Sequence, residues 1–286
     1  MDSHCRLCER DQVLPRFSVR GIWVDHCPGC GFVQVREQPT EEDLVKLYGE
    51  PYFDRGKYSD PFALRKENER RLALLTGCGL PPAAKVLDAG CATGDFVAFA
   101  QSRFDMWGLD VSEFAVEEAR RKAPAVAHQL HAGFVEQQNY GEAMFDAIVL
   151  WDVLEHLWDP VTVCRSLLRA LRPGGFFVVS TPNIGAPVAR LMKTRWAFMT
   201  VPEHLGFFDH RTMRFLLQDR LGLQCLDWRT KGKWANLGFL FYKLNRVFPG
   251  WVPNSLIRLL RSGPAAKLSV YVPTGDIQYA VSRKSP

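Results

Sequence analysis

The feature that most constrains this 286-residue chain is the stretch Val86-Leu87-Asp88-Ala89-Gly90-Cys91-Ala92-Thr93-Gly94-Asp95, where an apolar strand-like run turns through two glycines into a helix-like run. A glycine turn at such a junction lets backbone N–H groups approach a ligand at the helix N-terminus. From Lys85 onward the alternation repeats as VLDAG, FVAFAQS, MWGLDV, EFAVEEARRKA, FDAIVLW, VTVCRSLLRAL and GGFFVVSTPN. Strands alternating with helices of about 10 to 15 residues mean βαβ units and a mainly parallel sheet. A further amphipathic helix over His210–Leu221, a strand over Leu223–Trp228 and a last strand over Ile277–Ser282 follow. The expected fold class is α/β, a doubly wound, Rossmann-like sheet of seven strands.

The turn also selects its ligand. Dinucleotide sites want G-x-G-x-x-G, whereas here Gly90-x3-Gly94 is preceded by Asp88, whose charge would repel a pyrophosphate. A sulfonium carrying an amino group suits the acid better. Asp110, 20 residues after Gly90 at the end of the second strand, is placed to take ribose hydroxyls. Residues 84–183 resemble the class I S-adenosylmethionine-dependent methyltransferases. The resemblance rests on D-x-G-C-x-T-G at 88–94, Asp110, Trp151-Asp152-Val153-Leu154-Glu155-His156-Leu157-Trp158-Asp159-Pro160 after strand four, and Leu171-Arg172-Pro173-Gly174-Gly175 before strand five. It implies that Asp88, Gly90 and Gly94 hold the methionine part, Asp110 the ribose, and Val111, Gly133 and Phe134 the adenine. It also puts Cys91, Trp151 and Asp152 at the cofactor. Ala92 stands where the family has a middle glycine, and no acidic residue follows strand three at Ala132-Gly133.

Ahead of this core lie Cys5-x2-Cys8 and Cys27-x2-Cys30, four of the eight cysteines. Two such knuckles can put four thiolates tetrahedrally around one Zn²⁺. A segment over residues 1–38 is too small to hold itself together by core burial, so a structural zinc would supply the missing folding energy. Two disulfides are the alternative; they need an oxidising compartment, and the charged MDSHCRLCERD start lacks a secretory apolar run. His4 and His26 beside the knuckles are read as surface residues or neighbours of the ligands.

Methyl transfer from a sulfonium is an in-line displacement, so a base is expected near the methyl when the acceptor is a hydroxyl or a carbon acid. Glu203-His204-Leu205-Gly206-Phe207-Phe208 resembles the E-H-L-x-Y-F stretch of zinc-containing sugar C-methyltransferases, which implies that His204 faces the acceptor with Glu203 beside it. Those enzymes carry a tyrosine three residues earlier. Val201 stands there in this chain, which favours O-methylation. His156 has two readings, a bridge to backbone after strand four or part of the site. In the second, Asp152-x-x-Glu155-His156 with a later histidine resembles the divalent-metal site of ubiquinone-type and small-RNA-end O-methyltransferases, and the metal would act as a Lewis acid on the acceptor oxygen.

Residues 229–275 carry Arg229, Lys231, Lys233, Lys243, Arg246, Arg258, Arg261 and Lys267 without one acid, in a chain whose net charge is only +5. They are interleaved with Trp234, Phe239, Phe241, Tyr242, Phe248 and Trp251. The organisation expected is a zinc ribbon over 1–38, a helical and aromatic lid segment over 39–80, and a methyltransferase domain over 81–286 with a basic aromatic insertion at 229–275. Within the lid segment, a short helix is expected over Thr40–Tyr48, an aromatic loop with Tyr52, Phe53 and Tyr58, and a longer helix over Ala63–Leu75.

The acceptor expected is a small or carrier-linked molecule, foremost a hydroxyl of a nucleotide- or lipid-phosphate-linked sugar. A ribosomal-RNA base methyltransferase and a non-catalytic binding module are the alternatives; nucleic acid is the less favoured partner, because the mild charge does not announce one. Pro173–Ala189 is uncharged but broken by prolines and glycines, so no membrane span is expected. The expected location is cytoplasmic, with peripheral contact at the inner face of the membrane as the variant. The sequence gives no oligomeric state.

Overall fold

Runs that are apolar on both faces become the central strands of a sheet covered on both sides. The computed structural model describes residues 4–40, 60–138, 140–236, 240–241, 245, 250–260 and 269–286. The helix expected after Thr40 and the aromatic residues Tyr52, Phe53 and Tyr58 lie outside these. The strands are β1 (Leu14–Val19), β2 (Ile22–His26), β3 (Val33–Val35), β4 (Lys85–Ala89), β5 (Asp105–Asp110), β6 (Leu130–Ala132), β7 (Phe145–Trp151), β8 (Leu171–Pro182), β9 (Gly206–Phe207), β10 (Gln224–Asn236) and β11 (Ser269–Arg283). The helices are α1 (Pro61–Gly77), α2 (Asp95–Ala100), α3 (Glu113–Lys122), α4 (Pro160–Ala170), α5 (Pro187–Met192), α6 (His210–Arg214) and α7 (Asn254–Leu260). A wider π-type turn over Phe215–Arg220 prolongs α6.

Seven strands form one sheet in the order β10-β11-β8-β7-β4-β5-β6. The five from β8 to β6 are parallel, and β11 and β10 add an antiparallel edge. One face packs Leu74 and Leu75 of α1, Phe96 and Val97 of α2, and Val116 and Ala119 of α3 against Val86, Met106 and Val149. The other face packs Val161, Cys164 and Leu167 of α4 and Met213 of α6, with Leu216 and Leu217 of the turn after it, against Leu87, Ile148 and Val179. Local signals start the helices. Asp60 accepts from Phe62 N and Ala63 N ahead of α1, and Asp159 from Val161 N and Thr162 N ahead of α4, each with proline at the first helical position.

The edge strands are longer than the expected Leu223–Trp228 and Ile277–Ser282. β10 pairs β11 from Gln224↔Arg283 to Asn236↔Ser269, while β11 pairs β8 only from Ile277 to Arg283. The outer halves therefore leave the sheet as a two-stranded arm. Thr230-Lys231-Gly232-Lys233 hides this in the sequence, because an arm solvated on one side lacks the apolar run that marks a buried strand. Of the basic and aromatic residues of 229–275, Lys243, Arg246, Arg261, Lys267, Phe239, Tyr242 and Phe248 lie outside the described residues.

A second sheet, β1-β2-β3-β9, joins the N-terminal segment to the main body. Its last strand comes from about 170 residues downstream, with Val33 opposite Phe207 and Gln34 opposite Gly206. Arg6 staples the junction from inside. Its guanidinium donates to Val35 O (2.9 Å), Leu205 O (2.8 Å) and Trp158 O (3.2 Å), and lies 3.6 Å from the centre of the Trp158 ring. No helix among the described residues is long and apolar enough to cross a membrane.

Candidate active site

The turn from β4 to α2 passes through the left-handed region at Gly90 (φ 89°), Ala92 (φ 47°) and Gly94 (φ 73°). A Cβ at Gly90 would sit 2.4 Å from Val153 Cγ2, and one at Gly94 would sit 2.6 Å from Ala119 Cβ, so sterics as well as backbone angle demand glycine there. Ala92 tolerates its angle because its N–H donates to Asp110 Oδ2 (2.9 Å). The other Asp110 oxygen accepts from Ser112 N (3.0 Å), while the cap of α3 is Ser112 itself, whose Oγ accepts from Ala115 N. Asp110 thus ties the glycine turn to the end of β5. Burial raises its pKa against these bonds.

Asp88 is 2% exposed and its Oδ1 has no hydrogen-bond partner. Burial pushes its pKa up to about 7, with the Arg71 charge pulling down and the Asp110 charge pushing up. A buried carboxylate oxygen without a donor fits a ligand that brings a cation or an N–H, which the amino end of S-adenosylmethionine would do. At the rim, Gly133 N donates to Asp110 O (2.9 Å), Phe134 follows, and Val111 is 45% exposed. Cys91 differs from the rest of the set. Its side chain points into the core, with Sγ 3.0 Å from where a Cβ on Gly108 would lie, so only its backbone faces the turn.

At the end of β7, Asp152 adopts φ 58°, its N–H donating to Ser180 O and its carboxylate held by Ser180 Oγ (2.9 Å) and the Arg71 guanidinium (2.9 Å). Arg71 also lies 5.3 Å from the centre of the Trp151 ring. Sequence reasoning missed this arginine. Only its i,i+4 spacing from Glu67 on α1 distinguishes it there, and many solvent-facing pairs share that spacing.

A turn after Asp152 brings Glu155 and His156 against the segment that carries His204. Glu155 is buried, accepts from Thr181 Oγ1 (2.7 Å) and offers its backbone carbonyl to Leu205 N (2.7 Å). His156 Nδ1 donates to Glu203 O (2.8 Å), and its Nε2 lies 4.0 Å from Glu155 Oε1. Glu203 therefore contributes its carbonyl as the bridge to His156. The buried His204 ring stands perpendicular to that of His156 at 4.8 Å and stacks on Phe198 at 6.4 Å. Ligand-capable atoms of Glu155, His156 and His204 all lie within 4.8 Å of one another. Asp152 is not among them, so a cation held here would take its ligands from Glu155, His156 and the later His204, without the Asp152 that opens the run.

Across the molecule, Cys5 Sγ and Cys30 Sγ are 3.5 Å apart, Cys8 Sγ and Cys27 Sγ 3.6 Å, and all four lie within 4.8 Å of one another. These separations exclude disulfide bonds and approach the ~3.8 Å that a tetrahedron of sulfurs about 2.3 Å from zinc requires. The hydrogen bond from the Cys30 thiol lowers the Cys5 pKa, while burial raises that of Cys8 and the Cys5 neighbour raises that of Cys30, as expected of thiols crowded around one point. The four thiols thus suit a cation. A cavity of about 850 Å³ between α1 and the arm, lined by Arg70, Lys231, Trp234, Tyr271 and Tyr279, includes none of the candidate residues.

A family profile described as a methyltransferase domain matches residues 62–227. A stretch of 101 residues is 39% identical to a probable S-adenosylmethionine-dependent methyltransferase of Mycolicibacterium smegmatis, covering 34% of this chain and 38% of that protein. Over 106 residues the chain is 33% identical to the ubiquinone biosynthesis O-methyltransferase of Thiobacillus denitrificans, covering 36% of this chain and 46% of the other. The chain thus spans less than half the length of these two curated relatives. A SAM dependent methyltransferase from Archaeoglobus fulgidus shares the fold, with a TM-score of 0.56 at 16% identity over 82% of this chain and all of the other.

Proposed function

Because the chain belongs to the methyltransferase-domain family, we propose that it is an S-adenosylmethionine-dependent enzyme that methylates a hydroxyl of a small or carrier-linked acceptor, foremost a phosphate-linked sugar. The observation that carries this reading is the cluster of Glu155 and His204, both buried, with the half-buried His156, just past the end of β7, where Val153 packs on Gly90 of the cofactor turn. S-adenosylmethionine, when bound, supplies a methyl carbon activated by a sulfonium. Asp88 would receive its amino group on the unpartnered Oδ1, Asp110 would accept the ribose hydroxyls, and Val111, Gly133 and Phe134 would flank the adenine.

His204 would take the acceptor hydroxyl proton as that oxygen attacks. His156, fixed in one tautomer by Glu203 O, holds the His204 ring edge-on. Glu155, whose Oε1 lies 4.0 Å from His156 Nε2, would, as a carboxylate, stabilise positive charge that develops on the imidazoles. Val201 in place of tyrosine supports oxygen over carbon as the target. The test is S-adenosylhomocysteine release with S-adenosylmethionine and a panel of sugar phosphates, lipid-linked sugars and catechols. Release with hydroxyl acceptors is expected; release with none of them, or methylation at carbon, overturns the reading. Relatives named for ubiquinone biosynthesis support an oxygen acceptor of small size.

The mutual closeness of the Glu155, His156 and His204 ligand atoms favours one second reading, a divalent cation that binds the acceptor oxygen. Loss of turnover on EDTA treatment, restored by Mg²⁺ or Mn²⁺ with cysteine-bound metal retained throughout, would replace the general-base role of His204. For the four cysteines we propose one structural Zn²⁺.

A further inference from the structure

Lys231 and Lys233 are two residues apart on β10, and on a regular strand they would face the same side. They do not. Lys231 lines the outer cavity with Trp234, whereas the Lys233 ammonium lies 4.2 Å from the centre of the Phe198 ring, and Phe198 stacks on His204. The change of face is built at Gly232. Between Lys231↔Ile277 and Lys233↔Val272, one residue of β10 stands opposite four of β11, and a Cβ on Gly232 would sit 1.8 Å from Val272 O. Tyr271 Oη holds the kink by accepting from Gly232 N (2.8 Å), and Arg70 by donating to Gly232 O (3.1 Å). Irregularities of this kind beside active sites re-aim a side chain.

Lys233 arrives without a counter-charge. Its nearest acids are Asp276 and Asp152, yet no ion pair reaches it among the described residues. Asp276 accepts from Trp196 Nε1 (3.1 Å) and Thr274 Oγ1, and Asp152 is bound by Arg71 and Ser180. Burial lowers the lysine's pKa, the mark of an ammonium drawn out of water without a paired carboxylate. The face of Phe198 compensates in part.

We infer that Lys233 is a specificity-determining residue that binds an oxyanion of the acceptor, a carboxylate or a phosphate, beside the hydroxyl presented to His204. This deepens the methyl-transfer reading and rests on it. It also gives a residue-level basis for a phosphate-linked acceptor, in one cation held against the ring that stacks on His204.

Calorimetry on the full chain loaded with S-adenosylhomocysteine tests the inference apart from turnover. The probes are catechol, 3,4-dihydroxybenzoate and catechol monophosphate. At least one anionic probe is expected to bind about tenfold or more tightly than catechol, less so at high salt, and which one does so tells carboxylate from phosphate. Lys233→Gln should reduce that preference to under about twofold, Lys233→Arg should keep most of it, and both should retain S-adenosylhomocysteine affinity. Anionic probes that bind within twofold of catechol, or a preference that survives Lys233→Gln, overturn it. Absence of methylation with the binding preference intact would instead count against the methyl-transfer reading alone.

Discussion

The four-thiol ribbon and the cofactor turn both gather their ligand groups on tight turns, but they are held in opposite ways. The cofactor turn is walled by the core of the main sheet. Val153 and Ala119 press on Gly90 and Gly94, and Asp110 ties the loop to β5, so this region is shaped before any ligand arrives. The ribbon has three short strands, and its buried side chains, Leu7, Val24, Phe32, Val33 and Val35 beside the cysteines, come from a segment with no helix among its described residues to cover them. It borrows β9 as a fourth strand and fastens it with its own Arg6. The borrowing puts the ribbon in contact with chemistry. β9 begins two residues after His204, and Leu205 is held by Arg6 through its carbonyl and by Glu155 through its N–H. The difference teaches that cofactor affinity should be indifferent to the ribbon, while turnover should not.

The sharpest break in that contrast is Cys27→Ser/Cys30→Ser. If zinc supplies the ribbon's folding energy, the variant should lose the metal by elemental analysis, and turnover should fall by ~10²-fold or more as His204 loses its strand. S-adenosylmethionine affinity should hold within about threefold, because the turn rests on its own sheet. A parent protein carrying less than about half an equivalent of zinc would remove the premise, and equal loss of turnover and cofactor affinity would erase the contrast.

The next effect isolates the base from the ribbon that places it. His204→Ala should lower turnover ~10²-fold with the ribbon's metal retained and the cofactor affinity unchanged, since a positioned general base contributes on that scale. A loss confined to KM would mark His204 as an acceptor contact instead. On the other side, Asp110→Ala should weaken S-adenosylmethionine binding by roughly 2 to 3 kcal/mol, about 30- to 150-fold, because a carboxylate accepting from ribose hydroxyls makes charge-assisted bonds. Unchanged affinity by calorimetry would reduce Asp110 to its role as a tie between Ala92 N and Ser112 N.

The sheet and the cofactor turn were legible in the sequence because each rests on a local pattern, the strand–helix alternation and the glycine spacing of 88–94. The four cysteines were legible for the same reason. What escaped was set by distant partners. Arg71 looks like one charge among many on α1 until Asp152, 81 residues later, is brought to it. The pairing of β3 with β9 joins residues far apart through only two strand positions, with no pattern of its own. The opposite facing of Lys231 and Lys233 depends on a three-residue excess in β11, which the sequence of β10 does not contain.

The smallest expected effect tests how the pre-shaped turn stores charge. In the free protein the buried Asp88 carboxyl has its pKa raised to about 7, chiefly by burial, against about 3.9 in an unfolded chain. Protonation therefore favours the folded state: this group's contribution to stability is greatest below about pH 4 and is lost as pH rises towards 7. A cationic ligand reverses the preference, since it favours the ionised carboxylate and must expel the proton to bind. S-adenosylmethionine affinity should rise about tenfold from pH 6 to pH 8, as the ionised fraction of a group titrating near 7 does. Calorimetry at pH 6.5 in buffers of different ionisation enthalpy should register proton release on binding. Asp88→Asn should bind more weakly and lose most of the pH dependence. A wild-type affinity flat across this range would mean that the Arg71 charge outweighs burial and keeps Asp88 ionised without ligand, so that the turn is pre-shaped in charge as well as in form.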